Sequence, residues 1–362
     1  MKLEKLIIAA GGTGGHVFPA LAVAQNFIEY NPEGKVLFVG AQGGREVEWV
    51  KKAGFSIQTV WISGWQRGKI FRNITLPLKL IVSFYQAWQI IRSFQPQVII
   101  GFGGYPSYPT LQVALWLKKI PTLIHESNAY PGLVNRLLAS KVNKVLLGNS
   151  QAQKYFPQGI YTGNPVRKEL GKVSTRAALE KWKFSITSPV ILVLGGSLGA
   201  RTINLAMQKA YMNILRANIQ ILWQCGKIYY PQLQTQIHLP AQGMVLVPFI
   251  DDMAAAYSCA SLVITRAGAI TLAELIATQK PSILIPSPNV AENHQYYNAL
   301  SLSEKGCALL LKDEDAIDKL EKTILEVFAR PHLLAQMQKN MASFEKNNAV
   351  ENILNQILEV IS

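Results

Sequence analysis

A chain of 362 residues is long enough to form two domains, each with its own hydrophobic core. Its hydrophobic content of 49% excludes a disordered chain, and no apolar run reaches the roughly 18 residues of a transmembrane helix. Three widely spaced cysteines, Cys225, Cys259 and Cys307, indicate neither a disulfide framework nor a zinc site. Because the sequence also shows no secretory signal, we expect a cytoplasmic protein.

The formal net charge of +14 is concentrated in the first half of the chain. Residues 1–163 contain 17 Lys and Arg against 6 Glu, a charge of +11, whereas residues 164–362 contain 19 basic against 16 acidic residues, a charge of +3. A basic half suits nucleic acid, an anionic lipid surface or a polyphosphate ligand, and composition does not choose among them.

The first predicted unit is a strand, a glycine turn and a helix. Leu3–Ala10 is apolar, residues 11–15 read Gly-Gly-Thr-Gly-Gly, and Val17–Tyr30 has helical periodicity with a proline in its first turn. A dinucleotide fingerprint would need a glycine where Val17 stands and an acid after the second strand, Lys35–Val39, which ends at a glycine. The turn therefore suits a phosphate but not a nicotinamide dinucleotide.

His16 directly follows this turn and is the first candidate catalytic residue. Histidine titrates near neutral pH, and at the carboxyl edge of a parallel sheet it is placed as a general base should be. The alternative is a histidine that caps the helix or is merely exposed.

Residues 61–92 mix aromatic, aliphatic and basic side chains, and the mixture recurs at Trp116–Lys119. Such segments suit the surface of a bilayer, with apolar side chains in the interface and cations on lipid head groups. Nucleic acid would require aromatic stacking platforms on a recognisable sheet, which the sequence does not contain. The first segment includes Trp65, Arg67, Lys69, Phe71, Arg72, Leu76, Leu78, Lys79, Phe84, Trp88 and Arg92, of which Phe84 and Trp88 have helical spacing that is also typical of a core.

Two more predicted strands of the first half end in polar or glycine-rich turns. Gln97–Ile100 is followed by a second glycine turn, and Thr122–His125 is followed by Glu126, Ser127 and Asn128. Side chains at the carboxyl end of a parallel strand are typical site residues, so Glu126 is a second candidate base, with a structural ion pair as the alternative. Lys144–Leu147 is the last predicted strand before a linker at residues 161–167.

The second half repeats the alternation of strands and helices. The predicted strands are Pro189–Leu194, Ile219–Trp223, Met244–Val247, Leu262–Ile264 and Ser282–Ile285, and a third glycine turn at residues 195–201 precedes a helix at Thr202–Leu215. After Leu262–Ile264 the chain breaks at Gly268 and resumes as a helix whose only carboxylate is Glu274. Such a junction binds an anion such as a diphosphate at the helix N terminus, and a carboxylate further along suits a ribose diol. The alternative is a plain turn with surface charges.

Seven motifs in one register resemble the MurG family of B-type glycosyltransferases, and the resemblance runs from residue 6 to about residue 300. The motifs are Gly11-Gly12-Thr13-Gly14-Gly15-His16, Gly103-Gly104-Tyr105, His125-Glu126-x-Asn128, Gly163-Asn164-Pro165-Val166-Arg167, Gly195-Gly196-Ser197-x-Gly199-Ala200-Arg201, Phe249-Ile250-Asp251-Asp252-Met253 and Arg266-x-Gly268-Ala269-x-Thr271-x-x-Glu274. The chain departs from the family at Leu198, where glutamine is common, and at residues 288–294.

The resemblance implies two doubly wound, Rossmann-like α/β domains that face a cleft. Residues 1–163 would form the acceptor and membrane-facing domain, with a C-terminal helix at about residues 343–362 packing back on it, and residues 164–342 would bind UDP-N-acetylglucosamine (UDP-GlcNAc). The implied reaction moves GlcNAc to the MurNAc 4-hydroxyl of undecaprenyl-diphosphate-MurNAc-pentapeptide (lipid I), which gives lipid II for peptidoglycan synthesis. Such an enzyme would lie on the cytoplasmic face of the plasma (inner) membrane, on an anionic surface, without a cofactor and without nucleic acid.

Carried onto this sequence, the resemblance also implies site residues. His16 is the preferred base and Glu126 the alternative, with inversion at the anomeric carbon and no metal. The acids Asp313, Glu314 and Asp315 open a predicted helix and are interpreted as capping acids. The implied substrate-binding residues are Thr13, Gly14, Gly15, Asn128, Arg167, Ser197, Ile250, Ala269, Ile270, Thr271, Leu272, Ala273, Glu274 and Gln295. Two other interpretations stay open: a B-type transferase with a different acceptor, and a non-enzymatic protein that binds membranes or nucleic acid through its basic half.

Overall fold

The computed structural model describes residues 3–64, 74–196, 198–237, 242–290, 293–342, 344 and 348–361. The chain divides into two compact units, one formed by Met1–Arg167 with Asn347–Ser362 and the other by Lys168–Lys346. In the described ranges, no helix combines the length and the apolar character that crossing a membrane requires.

The first unit is built on a parallel sheet with the strand order β3-β2-β1-β4-β5-β6-β7. The strands are β1 (Lys5–Ala9), β2 (Lys35–Ala41), β3 (Ser56–Val60), β4 (Val98–Gly101), β5 (Thr122–Glu126), β6 (Lys144–Leu147) and β7 (Ile160–Tyr161). The order reverses between β1 and β4, and such a reversal opens a crevice at the carboxyl ends of these strands. The glycine turns after β1 and β4 both lie there.

Helices cover the sheet of the first unit. They span Gly14–Tyr30, Glu46–Lys52, Leu76–Phe94, Ser107–Leu117, Leu133–Leu138 and Ala349–Glu359, with a 3₁₀ turn at Ser150–Lys154. The first helix begins at Gly14, three residues earlier than the sequence predicts, so that His16 lies inside its first turn. Glycine is a poor helix former but is tolerated in a first turn, where part of the backbone hydrogen bonding is absent in any case.

The C-terminal helix Ala349–Glu359 belongs to the first unit. Its side chains Ile353 and Ile357 are fully buried in the same core as Leu3 and Val23. At the helix end, Glu359 forms an ion pair with Lys144 at 2.8 Å. Burial of two isoleucines contributes about 3–6 kcal/mol, so this helix is an integral part of the first unit.

The second unit has a parallel sheet with the strand order β10-β9-β8-β11-β12-β13. Its strands are β8 (Val190–Leu194), β9 (Gln220–Gln224), β10 (Met244–Val247), β11 (Leu262–Thr265), β12 (Ser282–Leu284) and β13 (Ala308–Leu310). Its helices span Thr175–Trp182, Arg201–Arg216, Tyr230–Gln236, Met253–Cys259, Ala269–Thr278, His294–Ser303, Asp313–Phe328 and Pro331–Ala342. The order reverses between β8 and β11, again where two glycine turns follow the strands. The predicted doubly wound α/β fold is confirmed for each unit.

Candidate active site

The first glycine turn holds His16 in one tautomer. The ring is half-buried, with Nδ1 2.9 Å from the carbonyl oxygen of Gly11 and 3.4 Å from Oγ1 of Thr13, the residue that precedes the helix. A carbonyl oxygen can only accept, so Nδ1 donates and the neutral ring carries its lone pair on Nε2. Within the described ranges, no hydrogen bond engages Nε2. This is the protonation pattern that a general base requires.

The second glycine turn packs directly on the first. Gly103 and Gly104 have φ angles of +97° and +82°. A Cβ on Gly103 would lie 2.9 Å from Cδ2 of His16, and a Cβ on Gly104 would overlap the carbonyl oxygen of Gly11. Both positions require glycine for the backbone conformation and for the close approach. The turn after β4 thus fixes the Gly11 carbonyl to which His16 donates.

Glu126, the alternative base, is 2% exposed and holds its own loop. Its Oε1 accepts from the backbone N and from Nδ2 of Asn128 at 2.9 and 3.1 Å, and its Oε2 accepts from the backbone N of Gly132 and from Nδ2 of Asn135, both at 2.9 Å. These four donors fill the lone pairs of an ionised carboxylate. This geometry favours a structural role for Glu126. It also directs the amide of Asn128, which is half-buried, toward the loop that follows β5.

His125 is fully buried and is a different kind of histidine from His16. Its Nε2 lies 3.1 Å from the carbonyl oxygen of Gly163, and its Nδ1 lies 3.4 Å from Oγ of Ser127. Burial lowers the pKa of His125 to about 4, the Gly163 carbonyl opposes this change, and the nearby His16 lowers the pKa further. His125 is therefore neutral at physiological pH and donates from Nε2 to the segment after β7.

Arg167 contacts the helix that follows the glycine turn through Phe18. Its guanidinium stacks on the ring of Phe18 at 4.5 Å from the ring centroid, and the Phe18 ring packs on Trp49 at 5.3 Å. A Cβ on Gly14 would lie 2.8 Å from the Phe18 ring, so the glycine permits this packing. The predicted binding residues Thr13, Gly14, Gly15 and Arg167 are thus brought together at the start of one helix.

In the second unit, a buried amide holds the glycine turn after β8. Gln224 is 4% exposed, accepts from the backbone N of Gly195 at 3.2 Å and donates to the carbonyl oxygen of Gly196 at 2.9 Å. The turn leads into helix Arg201–Arg216, whose start at Ala200 has no side-chain cap. Uncapped N–H groups at a helix start suit an anion. Ser197, predicted to face the diphosphate, lies outside the described residues.

The turn after β11 forms a second uncapped helix start. Gly268 precedes helix Ala269–Thr278, provides no side-chain cap, and has open space where a Cβ would stand except for Oγ1 of Thr271 at 3.7 Å. Thr271 is half-buried and the other predicted residues of this segment, Ala269, Ile270, Leu272, Ala273 and Glu274, are buried. Backbone groups, rather than side chains, are what this segment offers to a diphosphate.

Glu274 is anchored by a tyrosine. Its Oε2 accepts a hydrogen bond of 3.0 Å from the hydroxyl of Tyr257, which is fully buried on helix Met253–Cys259. Asp252 caps the start of the same helix: its carboxylate accepts from the backbone N of Ala255 at 3.0 Å and pairs with Lys181. These contacts lower the pKa of Asp252, the backbone N–H of Ala255 most strongly.

Arg266 forms hydrogen bonds and an ion pair within the second unit. Its Nη1 donates to the carbonyl oxygens of Ile285 and Pro286 at 3.1 and 3.3 Å and pairs with Asp313, which also accepts from Thr202 at 2.9 Å. Asp313 is the first residue of helix Asp313–Phe328, which has no side-chain cap, so the capping interpretation is wrong for Asp313. Its carboxylate is taken by Arg266 and Thr202 and links that helix to the turn after β11. The charge of Arg266 is thus compensated within the unit.

Two predicted contact residues have roles in the fold. Ile250 is 3% exposed and packs in the core, so a uracil would meet mainly its backbone. Gln295 uses Oε1 to accept from the backbone N of Ser287 at 2.9 Å, which leaves its side-chain N–H groups as donors for a ligand.

Four buried polar residues that support these turns were not predicted from the sequence. They are Glu46, Asn135, Gln224 and Tyr257, all at most 4% exposed. Gln224 ends an apolar strand, and this polar residue in a buried run was a usable signal. The other three lie on helices, where nothing in the sequence distinguishes a buried polar side chain from an exposed one.

Comparison with known proteins places both units in one family. The N-terminal domain of glycosyltransferase family 28 matches residues 6–147, and its C-terminal domain matches residues 190–353. Similar proteins from Cytophaga hutchinsonii and Bacteroides thetaiotaomicron are each 41% identical, over 100% and 98% of this chain and over 98% and 97% of their own lengths. Both are named UDP-N-acetylglucosamine--N-acetylmuramyl-(pentapeptide) pyrophosphoryl-undecaprenol N-acetylglucosamine transferase.

A solved structure agrees with this placement. The crystal structure of MurG from Acinetobacter baumannii matches with a TM-score of 0.75 and 27% identity, over 99% of this chain and 100% of that one. The matches cover both sheets and the turns at their carboxyl ends. The chain belongs to glycosyltransferase family 28.

Proposed function

We propose that this protein transfers GlcNAc from UDP-GlcNAc to the MurNAc 4-hydroxyl of lipid I and so produces lipid II. The observation that carries the proposal is the 41% identity, over the full chain, to relatives named for this transfer. The chemistry of the two units is compatible with it, since one provides a histidine with its lone pair on Nε2 and the other provides uncapped helix starts.

We assign the donor to the second unit. The backbone N–H groups at the starts of helices Arg201–Arg216 and Ala269–Thr278 would bind the diphosphate, and Glu274 would accept from the ribose hydroxyls. The same N–H groups and helix dipoles would stabilise UDP as it leaves as an anion, without a requirement for a metal ion. Ser197 and Gln295 complete the proposed donor site.

In the first unit, His16 would act as the base. Its Nε2 would take the proton of the acceptor hydroxyl as that oxygen attacks the anomeric carbon, with inversion and an oxocarbenium-like transition state. Thr13, Gly14, Gly15, Asn128 and Arg167 would contact the substrates from this side. We prefer His16 to Glu126 because Glu126 already accepts four hydrogen bonds.

The test is transfer of labelled GlcNAc from UDP-GlcNAc to a short-chain lipid I analogue, with and without EDTA. We expect product in both. A protein that UDP-GlcNAc stabilises against thermal unfolding, but that glycosylates only other acceptors, would refute the acceptor assignment and keep the donor site.

The base assignment has its own test. His16→Ala is expected to lower kcat by about 10²–10⁴-fold while UDP-GlcNAc still stabilises the protein. His332→Ala, at an exposed histidine of the second unit, is the matched control and should retain full turnover. Full turnover of His16→Ala would remove His16 from this role.

The acceptor carries a long lipid, and a surface of the first unit is suited to a membrane. On and just before helix Leu76–Phe94, exposed apolar residues recur at intervals of three or four: Ile74, Leu78, Ile81, Tyr85 and Trp88. The other face of the helix packs on the core, and Phe84 on that face also contacts the exposed Trp116, with ring centroids 4.8 Å apart. Trp88 therefore lies on the outer stripe, whereas Phe84 is partly buried.

Basic side chains flank this outer stripe. Lys79 and Arg92 lie over the rings of Trp61 and Trp88, and Lys118 and Lys119 follow the exposed Trp116. An apolar stripe with basic flanks is typical of a helix that binds an anionic bilayer surface. The predicted contributions of residues 65–72 lie outside the described residues. We propose peripheral attachment to the cytoplasmic face of the plasma membrane, and no binding of nucleic acid.

Vesicle sedimentation tests the attachment. The protein should sediment with phosphatidylglycerol vesicles and less with phosphatidylcholine vesicles, and Ile81→Ser should weaken binding. Ile186→Ser, at an equally exposed apolar residue of the second unit, is the control. Equal loss in both variants, or tight binding to duplex DNA at physiological salt, would contradict the proposal.

A further inference from the structure

A buried carboxylate lies beneath the glycine turn that carries His16. Glu46 is fully buried at the start of helix Glu46–Lys52. Its Oε1 accepts from the backbone N of Ala41, the last residue of β2, at 2.8 Å, and its Oε2 accepts from the backbone N of Gly12 at 3.3 Å. One side chain therefore joins the end of β2 to the turn after β1.

Three glycines make room for this carboxylate. A Cβ on Gly11 would lie 2.7 Å from Oε1 of Glu46, a Cβ on Gly40 would lie 2.8 Å from its Cγ, and a Cβ on Gly44 would overlap both carboxylate oxygens. These glycines come from the turn after β1, from β2 and from the loop after β2. A space formed from three chain segments around one carboxylate indicates a fixed position for Glu46.

Burial of a carboxylate is costly unless hydrogen bonds compensate it. A buried apolar residue would fill the same space without that cost, so core packing alone does not explain Glu46. Dinucleotide-binding folds use an acid at the end of the second strand to bind a ribose. Here the first acid after β2, Glu46, lies on the following helix and is directed inward, onto the backbone of the glycine turn.

We propose that Glu46 is a positioning residue for the transfer reaction, because it fixes the turn that sets the tautomer of His16. Gly12, which donates to Glu46, has a φ angle of +86° and follows Gly11, whose carbonyl accepts from Nδ1 of His16. With Gly12 held, the Gly11 carbonyl keeps its direction and Nε2 keeps the lone pair. The inference rests on the proposed role of His16 as the base.

The variant Glu46→Gln replaces one acceptor oxygen by an NH₂ group, which cannot accept from a backbone N–H. We expect kcat to fall about 10-fold to 100-fold, with the KM for UDP-GlcNAc changed by less than about threefold, because misplacement of a reacting group affects the chemical step. Glu48→Gln is the matched control, since Glu48 lies in the same first helical turn but is exposed, and it should retain wild-type kcat.

A spectroscopic measurement separates positioning from general stabilisation. In full-length protein labelled with ¹⁵N-histidine, at alkaline pH, the wild type should show His16 with Nδ1 protonated, and His16→Ala identifies the signals. Glu46→Gln should shift His16 toward a mixture of tautomers, and Gly44→Ala, which displaces the carboxylate without changing charge, should do the same. Glu48→Gln should keep the wild-type spectrum.

The outcomes are distinct. Wild-type kcat and an unchanged tautomer in Glu46→Gln overturn the proposal. If Glu46→Gln does not fold, wild-type kcat and an unchanged His16 tautomer in Gly44→Ala overturn the proposal. A wild type that transfers no GlcNAc refutes the proposed function, whereas the His16 tautomer in the variants still decides whether Glu46 sets the turn.

Discussion

His125 makes the stability of the first unit depend on pH in a way that can be calculated. Its pKa falls from 6.5 to about 4 because the folded chain buries it. Between these values the unfolded chain binds a proton at this site and the folded chain does not, so stability falls as the pH falls. The contribution of neutral His125 to the free energy of unfolding is complete above pH 6.5. About 1 kcal/mol of it is lost by pH 5.5 and about 3 kcal/mol below pH 4, at 1.36 kcal/mol for each pKa unit.

The assay compares wild type with His125→Gln, whose side chain can still donate toward Gly163 but does not titrate. Urea unfolding should be followed by hydrogen exchange on peptides from residues 122–164, since a chain of two units need not unfold in one transition. The other titratable groups are the same in both proteins, so their effects on the free energy of unfolding cancel in the difference. The stability advantage of wild type over the variant should shrink by about 1 kcal/mol from pH 7.5 to pH 5.5. A pH-independent difference would refute the reasoning.

Two further predictions concern Glu274, the carboxylate proposed to bind the ribose, and the glycine turn after β4. Tyr257→Phe removes the hydroxyl that fixes Glu274, so we expect UDP affinity to fall about tenfold and the preference for UDP over 2′-deoxy-UDP to narrow, measured by calorimetry. An undiminished preference would show that the hydroxyl does not orient the carboxylate. Gly104→Ala introduces a Cβ that overlaps the Gly11 carbonyl and should abolish turnover, whereas Gly43→Ala, at a φ of +73° with no atom near its Cβ, should cost only about 1–2 kcal/mol in stability. Equal activity in the two variants would contradict this.

The sequence predicts most of the fold because buried parallel strands leave continuous apolar runs that end in glycine turns. It misses β3 (Ser56–Val60), β7 (Ile160–Tyr161) and β13 (Ala308–Leu310), whose side chains are mostly exposed or half-buried. It predicts the position of the site but not the roles of its charged residues. The role of Glu126 depends on donors up to nine residues away, and that of Arg266 depends on Asp313, 47 residues away. Such partners are chosen by the packing of the sheet, which no local pattern records.

The two units hold their first glycine turns with different chemistry, and the difference bears on which ligand each unit binds. In each unit the support is associated with the strand next to the one that carries the turn: Glu46 begins the helix that follows β2, and Gln224 is the last residue of β9. Glu46 takes one N–H of its turn and leaves a negative charge beneath it. Gln224 is neutral and forms hydrogen bonds with both a backbone N–H and a backbone carbonyl of its turn. A buried negative charge beneath the turn disfavours a second anion, contrary to the phosphate site that the glycine pattern predicts there. This contrast is an independent argument for placing the donor diphosphate in the second unit and the proton transfer in the first.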